Sequence, residues 1–145
     1  MPVFYYLYQN DRENFANKGK WYARIKPVST KGLKEIAEII QRNASVKRSD
    51  VMAVLTELPE VMNDMLREGH RVKIEGLGAF KIGISSLPAD TEKDFNVKQH
   101  IKNSRIIFQP ETVRVGSQGT RTRLLAGELE FKDVAEMQKK QDKNP

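Results

Sequence analysis

Basic side chains concentrated between Phe95 and Arg123 are the groups in this sequence whose type and spacing best support chemistry. Six lysines and arginines lie in that window with one acid, Glu111, whereas the whole chain has a formal net charge of +6. Most of the excess charge is therefore local. Solubility requires only a modest charge spread over the surface, whereas a concentrated basic segment indicates a surface for a polyanion, most commonly nucleic acid.

Other site chemistries are poorly represented. The 145 residues include no cysteine, and the two histidines, His70 and His100, lie far apart in the sequence. We therefore predict no metal site, no cofactor and no bound small-molecule substrate. No nucleophile–base arrangement or paired carboxylates can be named, and Gly76-Leu77-Gly78 leads into a predicted strand rather than a helix, so we predict that the protein is not an enzyme.

The location of the protein is also predicted from composition. The sequence has no apolar run near the ~20 residues that cross a bilayer. Its first residues contain no basic segment and no small-residue cleavage site of a secretory signal. We therefore expect a cytoplasmic protein without membrane contact.

Two aromatic, β-prone segments at the start, residues 3–9 and 20–26, predict a β-hairpin. Packing of one aromatic face on the body of the protein is the favoured interpretation. Stacking on bases of RNA or single strands is the alternative, in which the rings would be exposed. The candidate stacking residues are Tyr5, Tyr6, Tyr8 and Trp21.

Two amphipathic helices are predicted next. The first follows a cap at Ser29 or Thr30, and the second extends from about Lys47 to Glu68. Pro59 is expected to kink the second helix or divide it near Leu58. Its apolar stripe is longer than the first helix can cover, so a second copy of the chain is the simplest partner.

The period then changes to that of strands. Residues 72–84 predict two short strands joined through Gly76-Leu77-Gly78, and residues 105–109 predict a third. The polar residues 85–104 between them predict a β-arm or an extended loop. Residues 120–145 predict a charged tail, disordered or partly helical, with one helix at most at 124–140.

This order of elements resembles the HU/IHF histone-like DNA-binding proteins. The densest match is LREGHRVKIEGLGAFKI at residues 66–82, in which Leu77 replaces the usual Phe of the family's G-F-G-x-F signature. Residues 29–119 carry the resemblance. The aromatic start, with SSLPADTEKDF and RIIFQP, is similar to the HU-related subgroup that has an N-terminal extension and a divergent arm.

The resemblance implies an α+β fold with two N-terminal helices, a three-stranded antiparallel sheet with a β-arm, and an intertwined homodimer. It divides the chain into an N-terminal β-hairpin extension (1–28), an HU-like DNA-binding domain (29–119) and a C-terminal tail (120–145). It also implies a bacterial, nucleoid-associated protein that condenses double-stranded DNA with little sequence preference. In that family two arms reach around the minor groove and an apolar wedge bends the duplex.

The basic residues of the matching region are the candidate DNA contacts. By the resemblance, Lys81 corresponds to a basic position at the root of the saddle that contacts phosphate. If the returning limb is a strand, alternate spacing places Lys98, His100 and Lys102 on one face. The full candidate set is Lys81, Lys98, His100, Lys102, Arg105, Arg114, Arg121 and Arg123.

The arm tip departs from the family. The R-N-P motif is absent, and Pro88 is followed by the acids Asp90, Glu92 and Asp94. Leu87 or Phe95 is a candidate wedge, although Phe95 is also suited to anchoring the arm. The alternative function is therefore a structural or protein-interaction module with weak or lost DNA binding, which offers the edge of its aromatic hairpin to a partner.

Overall fold

The computed structural model describes residues 1–13 and 16–136. The apolar residues that recur at helical spacing between positions 33 and 66 lie in two helices. The helices are α1 (Leu33–Asn43) and α2 (Arg48–Arg67). The predicted division near Leu58 does not occur, because α2 continues through Pro59. Proline has no N–H, so the helix loses a single backbone hydrogen bond there. Gly69, at a φ of 87°, follows the end of α2, which agrees with the helix end predicted near Glu68.

Three strands follow α2 and form an antiparallel sheet in the order β3-β4-β5. They are β3 (Val72–Ile74), β4 (Gly78–Ser86) and β5 (Ile101–Pro110). Gly78 faces Pro110 across the sheet, at a φ of 147°. A side chain at Gly78 would overlap the carbonyl oxygen of Gln109, so this strand pairing requires glycine.

The sheet has one apolar and one polar face, because successive side chains of a strand point to opposite sides. The Phe80 and Phe108 rings pair across β4 and β5, with centroids 4.8 Å apart. Ile82 faces Ile106 on the same side. The opposite side carries the cross-strand pairs Lys73–Ala79, Ala79–Gln109, Lys81–Ile107 and Gly83–Arg105.

A second, two-stranded sheet follows β5. It consists of β6 (Thr112–Val115) and β7 (Thr120–Arg123), paired antiparallel. The TRTR sequence of β7 alternates with a period of two and has β-branched threonines, which favours a strand. This sheet belongs to the same structural unit as the helices and the three-stranded sheet, residues 33–127.

Both ends of the chain form the other unit, residues 1–32 and 128–145. Its sheet, the N-terminal sheet, has the order β2-β1-β8 and contains β1 (Val3–Gln9), β2 (Trp21–Ile25) and β8 (Phe131–Asp133). β1 is antiparallel to β2 and parallel to β8. Where we predicted a tail from residue 120, the structure has β7 and β8, and residues 137–145 of that prediction lie outside the described residues.

Few of the described side chains are buried. In the described part, the buried hydrophobic residues are Ala37, Val51, Leu66 and Ala79. Ala37 lies in α1, Val51 and Leu66 lie in α2, and Ala79 lies in β4 on the side of the sheet that carries Lys73 and Lys81. The helix periodicity predicts apolar positions in α1 and α2, but the core of a single chain is small. Within residues 1–13 and 16–136, no helix is both long enough and apolar enough to cross a membrane.

Candidate nucleic-acid interface

Three cations lie on the polar side of the three-stranded sheet, which we call the basic sheet face: Lys73, Lys81 and Arg105. Their strand register places them on one side together with Ala79, Gly83, Ile107 and Gln109. Arg105 donates a hydrogen bond from Nη1 to Ser85 Oγ at 3.1 Å, which holds the guanidinium along the sheet. Of the predicted contacts, Lys81 and Arg105 are therefore brought together on this face.

Three further arginines share one side of the β6–β7 sheet, which we call the arginine face. Arg114 is directly opposite Arg121, and Arg123 is opposite Thr112 on the same side. No ion pair to Arg114, Arg121 or Arg123 is found in the described part of the chain. Like charges directly opposite each other destabilise a strand pair, so this face is suited to an anion that neutralises them. Guanidinium groups bind phosphate through two parallel hydrogen bonds.

A hollow contains cations from both β3 and β7. Arg71, Lys73 and Arg121 line it together with Gln109. Arg71 donates a hydrogen bond to the Gln109 side-chain oxygen at 3.4 Å, and Lys73 lies 3.8 Å from a carboxylate oxygen of Glu111. Glu111 also accepts a hydrogen bond from the Gly76 backbone N–H. The hollow is therefore lined by three cations and by the Glu111 carboxylate.

Arg71 and Lys73 were absent from the predicted contacts. Their sequence signal is the alternation of two cations across Val72 at the start of a strand. Charge density alone favours the basic window after residue 95, which contains neither residue.

The predicted alignment of Lys98, His100 and Lys102 along one strand face is wrong. Residues Val97–His100 form a single helical turn, α3, because the Asn96 side chain caps it by accepting a hydrogen bond from the Lys98 N–H at 2.9 Å. Residues two apart on a helix point in nearly opposite directions. Lys102 lies in β5 at a shift of register, where Ser85 faces Asn103 and Ser86 faces Ile101.

The arm is short because its tip folds locally. The Leu87 N–H donates to the His100 carbonyl at 2.7 Å and ends the β4–β5 pairing. Thr91 caps a 3-10 turn, Glu92–Asp94, by accepting a hydrogen bond from the Asp94 N–H. The polar residues 85–104, predicted as a β-arm or an extended loop, thus include two capped turns beyond the end of the β4–β5 pairing. The acids Glu92 and Asp94 lie in the first of these turns, and Asp90 precedes it.

His100 has a structural role within this tip. Its Nδ1 accepts a hydrogen bond from the Asn96 N–H at 2.9 Å. Its ring stacks on the ring of Phe95, with centroids 5.1 Å apart. Phe95 therefore contacts a residue of its own arm, but it is 42% exposed, close to the 46% of Leu87, the other candidate wedge.

The N-terminal aromatics are divided between the two faces of their sheet. Tyr6 faces Arg24 and Tyr8 faces Tyr22 on one side, whereas Trp21 lies on the other, opposite Gln9. The Arg24 guanidinium carbon lies 4.0 Å from the centroid of the Tyr8 ring. A hydrogen bond to the Tyr8 side chain, with a smaller one to Tyr6, raises the pKa of Arg24 above its usual value.

In residues 1–13 and 16–136, no group of three or more His, Asp or Glu side chains is placed to hold a metal ion.

A comparison with protein families gives one relevant match. The model of the family HU-HIG, described as "HU domain fused to wHTH, Ig, or Glycine-rich motif", matches residues 1–121. This range contains the basic sheet face, β6 and Arg121 of β7, and also β1 and β2 of the N-terminal sheet. A comparison with curated proteins finds no significant match.

Proposed function

Because the chain belongs to the HU-HIG family, we propose that it is a nucleoid-associated protein that binds double-stranded DNA with little sequence preference. The family match confirms the resemblance to an HU-related family that was based on residues 66–82. The assignment to a subgroup with an N-terminal extension and a divergent arm stays a prediction.

The arginine face is the observation that carries this proposal. Arg114, Arg121 and Arg123 share one side of β6–β7 without a carboxylate partner in the described residues. In the proposed complex they contact duplex phosphates together with the basic sheet face, the neighbouring Arg71, and Lys98 and Lys102 of the arm. Contacts to phosphate carry no base information, so weak sequence preference is expected.

We further propose that the protein acts as a homodimer, as the family resemblance implies. The α2 stripe supports this, because Val54 is 66% exposed and Leu58, Val61 and Met65 are all exposed as well. A shallow apolar trough on α2 is lined by Ala53, Val54, Glu57, Leu58 and Val61. A second copy would bury this trough and provide the core that a single chain lacks.

The proposed role is non-catalytic and cytoplasmic, with DNA condensation in the nucleoid. Double-stranded DNA and a second copy of the chain are the proposed partners, without a cofactor, a small-molecule substrate or a membrane.

Fluorescence anisotropy of a labelled ~30-base-pair random duplex, titrated at three salt concentrations, tests the proposal. We expect affinity to fall steeply with salt, because each neutralised phosphate releases counterions and contributes about −0.9 to the slope of log K against log salt. The variant Lys81→Glu/Arg105→Glu should lose at least tenfold in affinity.

A matched control is Arg42→Glu/Lys47→Glu, which makes the same change in net charge at the end of α1 and before α2. It should bind more tightly than the sheet variant. Equal losses in the two variants would mean that net charge, rather than the basic sheet face, determines binding. No duplex binding by the parent at low salt would contradict the proposed function.

A second candidate function rests on the other side of the N-terminal sheet. Leu7, Trp21, Ile25 and Phe131 are exposed there, and β2 is an open edge strand. This combination suits docking of a protein partner with added strand pairing. A variant chain with Trp21→Lys would keep duplex affinity but lose such a partner.

A further inference from the structure

The strand register of the N-terminal sheet separates its side chains by chemical type. Across β1 and β2, Tyr6 faces Arg24 and Tyr8 faces Tyr22. Backbone hydrogen bonds continue the same register at both ends, from the Lys26 N–H to the Phe4 carbonyl and from the Asn10 N–H to the Lys20 carbonyl. We call this side the basic-aromatic face: Phe4, Tyr6, Tyr8, Lys20, Tyr22, Arg24, Lys26 and, opposite Phe4 on β8, Lys132.

The opposite side of the same sheet is apolar. It carries Leu7 opposite Ala23, Tyr5 opposite Ile25 and Val3 opposite Phe131. The KWYARIK sequence of residues 20–26 therefore alternates between basic or aromatic residues on one side and apolar residues on the other. Side chains are exposed on both faces, including Leu7, Ile25 and Phe131 on the apolar one. Of the two faces, the basic-aromatic face has the rings and cations that suit a nucleic acid.

Two rings and the guanidinium group of this face lie against one another. The Tyr8 and Tyr22 centroids are 5.9 Å apart with an interplanar angle of 31°. The Arg24 guanidinium covers the Tyr8 ring at 4.0 Å. Tyr6 and Tyr22 are 39% and 37% exposed, so each presents part of its ring to solvent. The accessible stacking groups are therefore Tyr6, Tyr22 and the Arg24 guanidinium.

The charge of this face suits a polyanion. Lys20, Arg24 and Lys26 have no carboxylate within 4.0 Å in the part of the chain that the structure describes. Lys132 is paired with Glu130 at 3.4 Å. Asp11 lines a hollow with Tyr8, Tyr22 and Arg24, where Arg12 also lies. Cations therefore exceed acids across the face.

We propose that the basic-aromatic face binds single-stranded nucleic acid by stacking bases on Tyr6, Tyr22 and Arg24. Aromatic rings and guanidinium planes on a sheet stack unpaired bases, whereas the bases of a duplex are already stacked on each other. Lys20 and Lys26 lie at the two ends of β2 and contact the phosphates of the strand. This activity lies beyond the proposed duplex binding and uses residues of the other structural unit.

The test uses the full chain and a 12-nucleotide single strand that contains 2-aminopurine, whose fluorescence falls when it stacks. The measurement is made in the Lys81→Glu/Arg105→Glu background, which weakens binding at the proposed duplex interface. We expect quenching on binding, and at least a tenfold loss of affinity with loss of quenching for Tyr6→Leu/Tyr22→Leu. Tyr6→Phe/Tyr22→Phe should retain both, because it keeps the rings.

The matched control is Trp21→Leu, which removes an aromatic ring from the opposite face. It should leave quenching unchanged, and a loss equal to that of the tyrosine variant would overturn the proposal. Absence of quenching by the parent chain would also overturn it. DNA and RNA strands of one sequence are compared, and similar quenching of both is expected because stacking involves the base rather than the sugar.

Two further measurements keep the result interpretable. Circular dichroism establishes that the leucine variant is folded, and if it is not, Lys20→Gln/Lys26→Gln replaces it and should reduce the salt slope by about 1.4. Duplex affinity of Tyr6→Leu/Tyr22→Leu should stay within twofold of the parent in the otherwise unchanged chain. Failure of duplex binding with retained quenching would contradict only the proposed function, and the reverse pattern would contradict only this inference.

Discussion

At the scale of single residues, the arginine face combines a cost in stability with a gain in binding. Arg114 and Arg121 are direct cross-strand neighbours, and a like-charged pair in this position destabilises a sheet by about 0.2–1 kcal/mol. Phosphate binding removes this repulsion. Arg114 and Arg121, which we propose for binding, are thus unfavourable neighbours in the isolated fold.

The double variant Arg114→Gln/Arg121→Gln separates these two effects. We expect its thermal midpoint to equal or exceed that of the parent, because the repulsion between Arg114 and Arg121 is removed. Duplex affinity should fall, and the slope of log K against log salt should become less steep by about 1.8, since two phosphate contacts are lost. Calorimetry and anisotropy at three salt concentrations measure the two quantities.

A control for this prediction is Arg42→Gln/Lys47→Gln, which removes the same number of charges elsewhere. Its salt slope should change less than that of the arginine variant. If the arginine variant melts earlier and keeps the parent slope, the two side chains stabilise the fold and do not contact DNA.

Substitution of Gly78 should strongly destabilise the structural unit of residues 33–127. A Cβ atom there would overlap the Gln109 carbonyl oxygen and would also approach the Phe108 ring. Because this carbonyl lies in the β4–β5 strand pairing, the overlap can be relieved only if the two strands move apart. We expect Gly78→Ala to lower the free energy of unfolding by more than about 2 kcal/mol, as measured by urea denaturation.

Gly116 is the matched control for this substitution. It also has a positive φ, of 81°, but an added Cβ would meet no atom within 4 Å. Gly116→Ala should therefore cost only the strain of the left-handed conformation, about 1–2 kcal/mol. Equal effects at the two glycines would mean that the backbone conformation, and not the contact with Gln109, sets the requirement at Gly78.

At the scale of elements, periodicity predicted the helices and the three-stranded sheet but not the arm. The apolar residues of α1 and α2 recur over several turns, so the helical period can be recognised in the sequence. At the arm tip, Thr91 and Asn96 each satisfy backbone groups through their own side chains. Such caps compete with strand pairing over four or five residues, a span too short for a periodic signal.

The C-terminal strands were missed for a different reason. β7 has only four residues, and β8 has three. Arg121 and Arg123 were predicted from charge alone, so their place in one sheet with Arg114 was not foreseen. The pairing partner of such a short strand decides its conformation, and the sequence of the strand does not identify that partner.

The exposed apolar stripe of α2 leads to a prediction about the oligomeric state. Leu58 lies in the exposed apolar trough of α2, so Leu58→Lys would place a charge in the proposed dimer interface. We expect the variant to be monomeric or to dissociate at concentrations at which the parent is a dimer, because a buried unpaired charge is costly. Sedimentation velocity over a range of concentrations measures this.

Asn63→Lys is the control, because Asn63 is an exposed polar position of the same helix. It should leave the oligomeric state unchanged. A parent chain that sediments as a monomer at all concentrations would contradict the proposed homodimer.

At the scale of the whole molecule, the two ends of the chain belong to one structural unit. β8 pairs parallel to β1, with Val3 opposite Phe131 and Tyr5 opposite Asp133. This contact joins residues more than a hundred positions apart, so no local pattern indicates it. The sequence therefore suggested an extension and a tail as separate segments, whereas the structure combines strands from both in one sheet.

This organisation predicts that the two proposed binding activities can be separated by truncation. The basic sheet face, the arginine face and the α2 trough all lie within residues 33–127. We expect a fragment of residues 33–127 to fold, to dimerise and to bind the ~30-base-pair duplex with the salt slope of the full chain, since it keeps every proposed phosphate contact. The fragment should lose quenching of the 2-aminopurine strand, because β1 and β2 are absent from it.

A folded fragment that binds duplex more than tenfold more weakly than the full chain would place part of the duplex interface on the N-terminal sheet. A fragment that still quenches the fluorescence of the single strand would show that this sheet is not the site of base stacking.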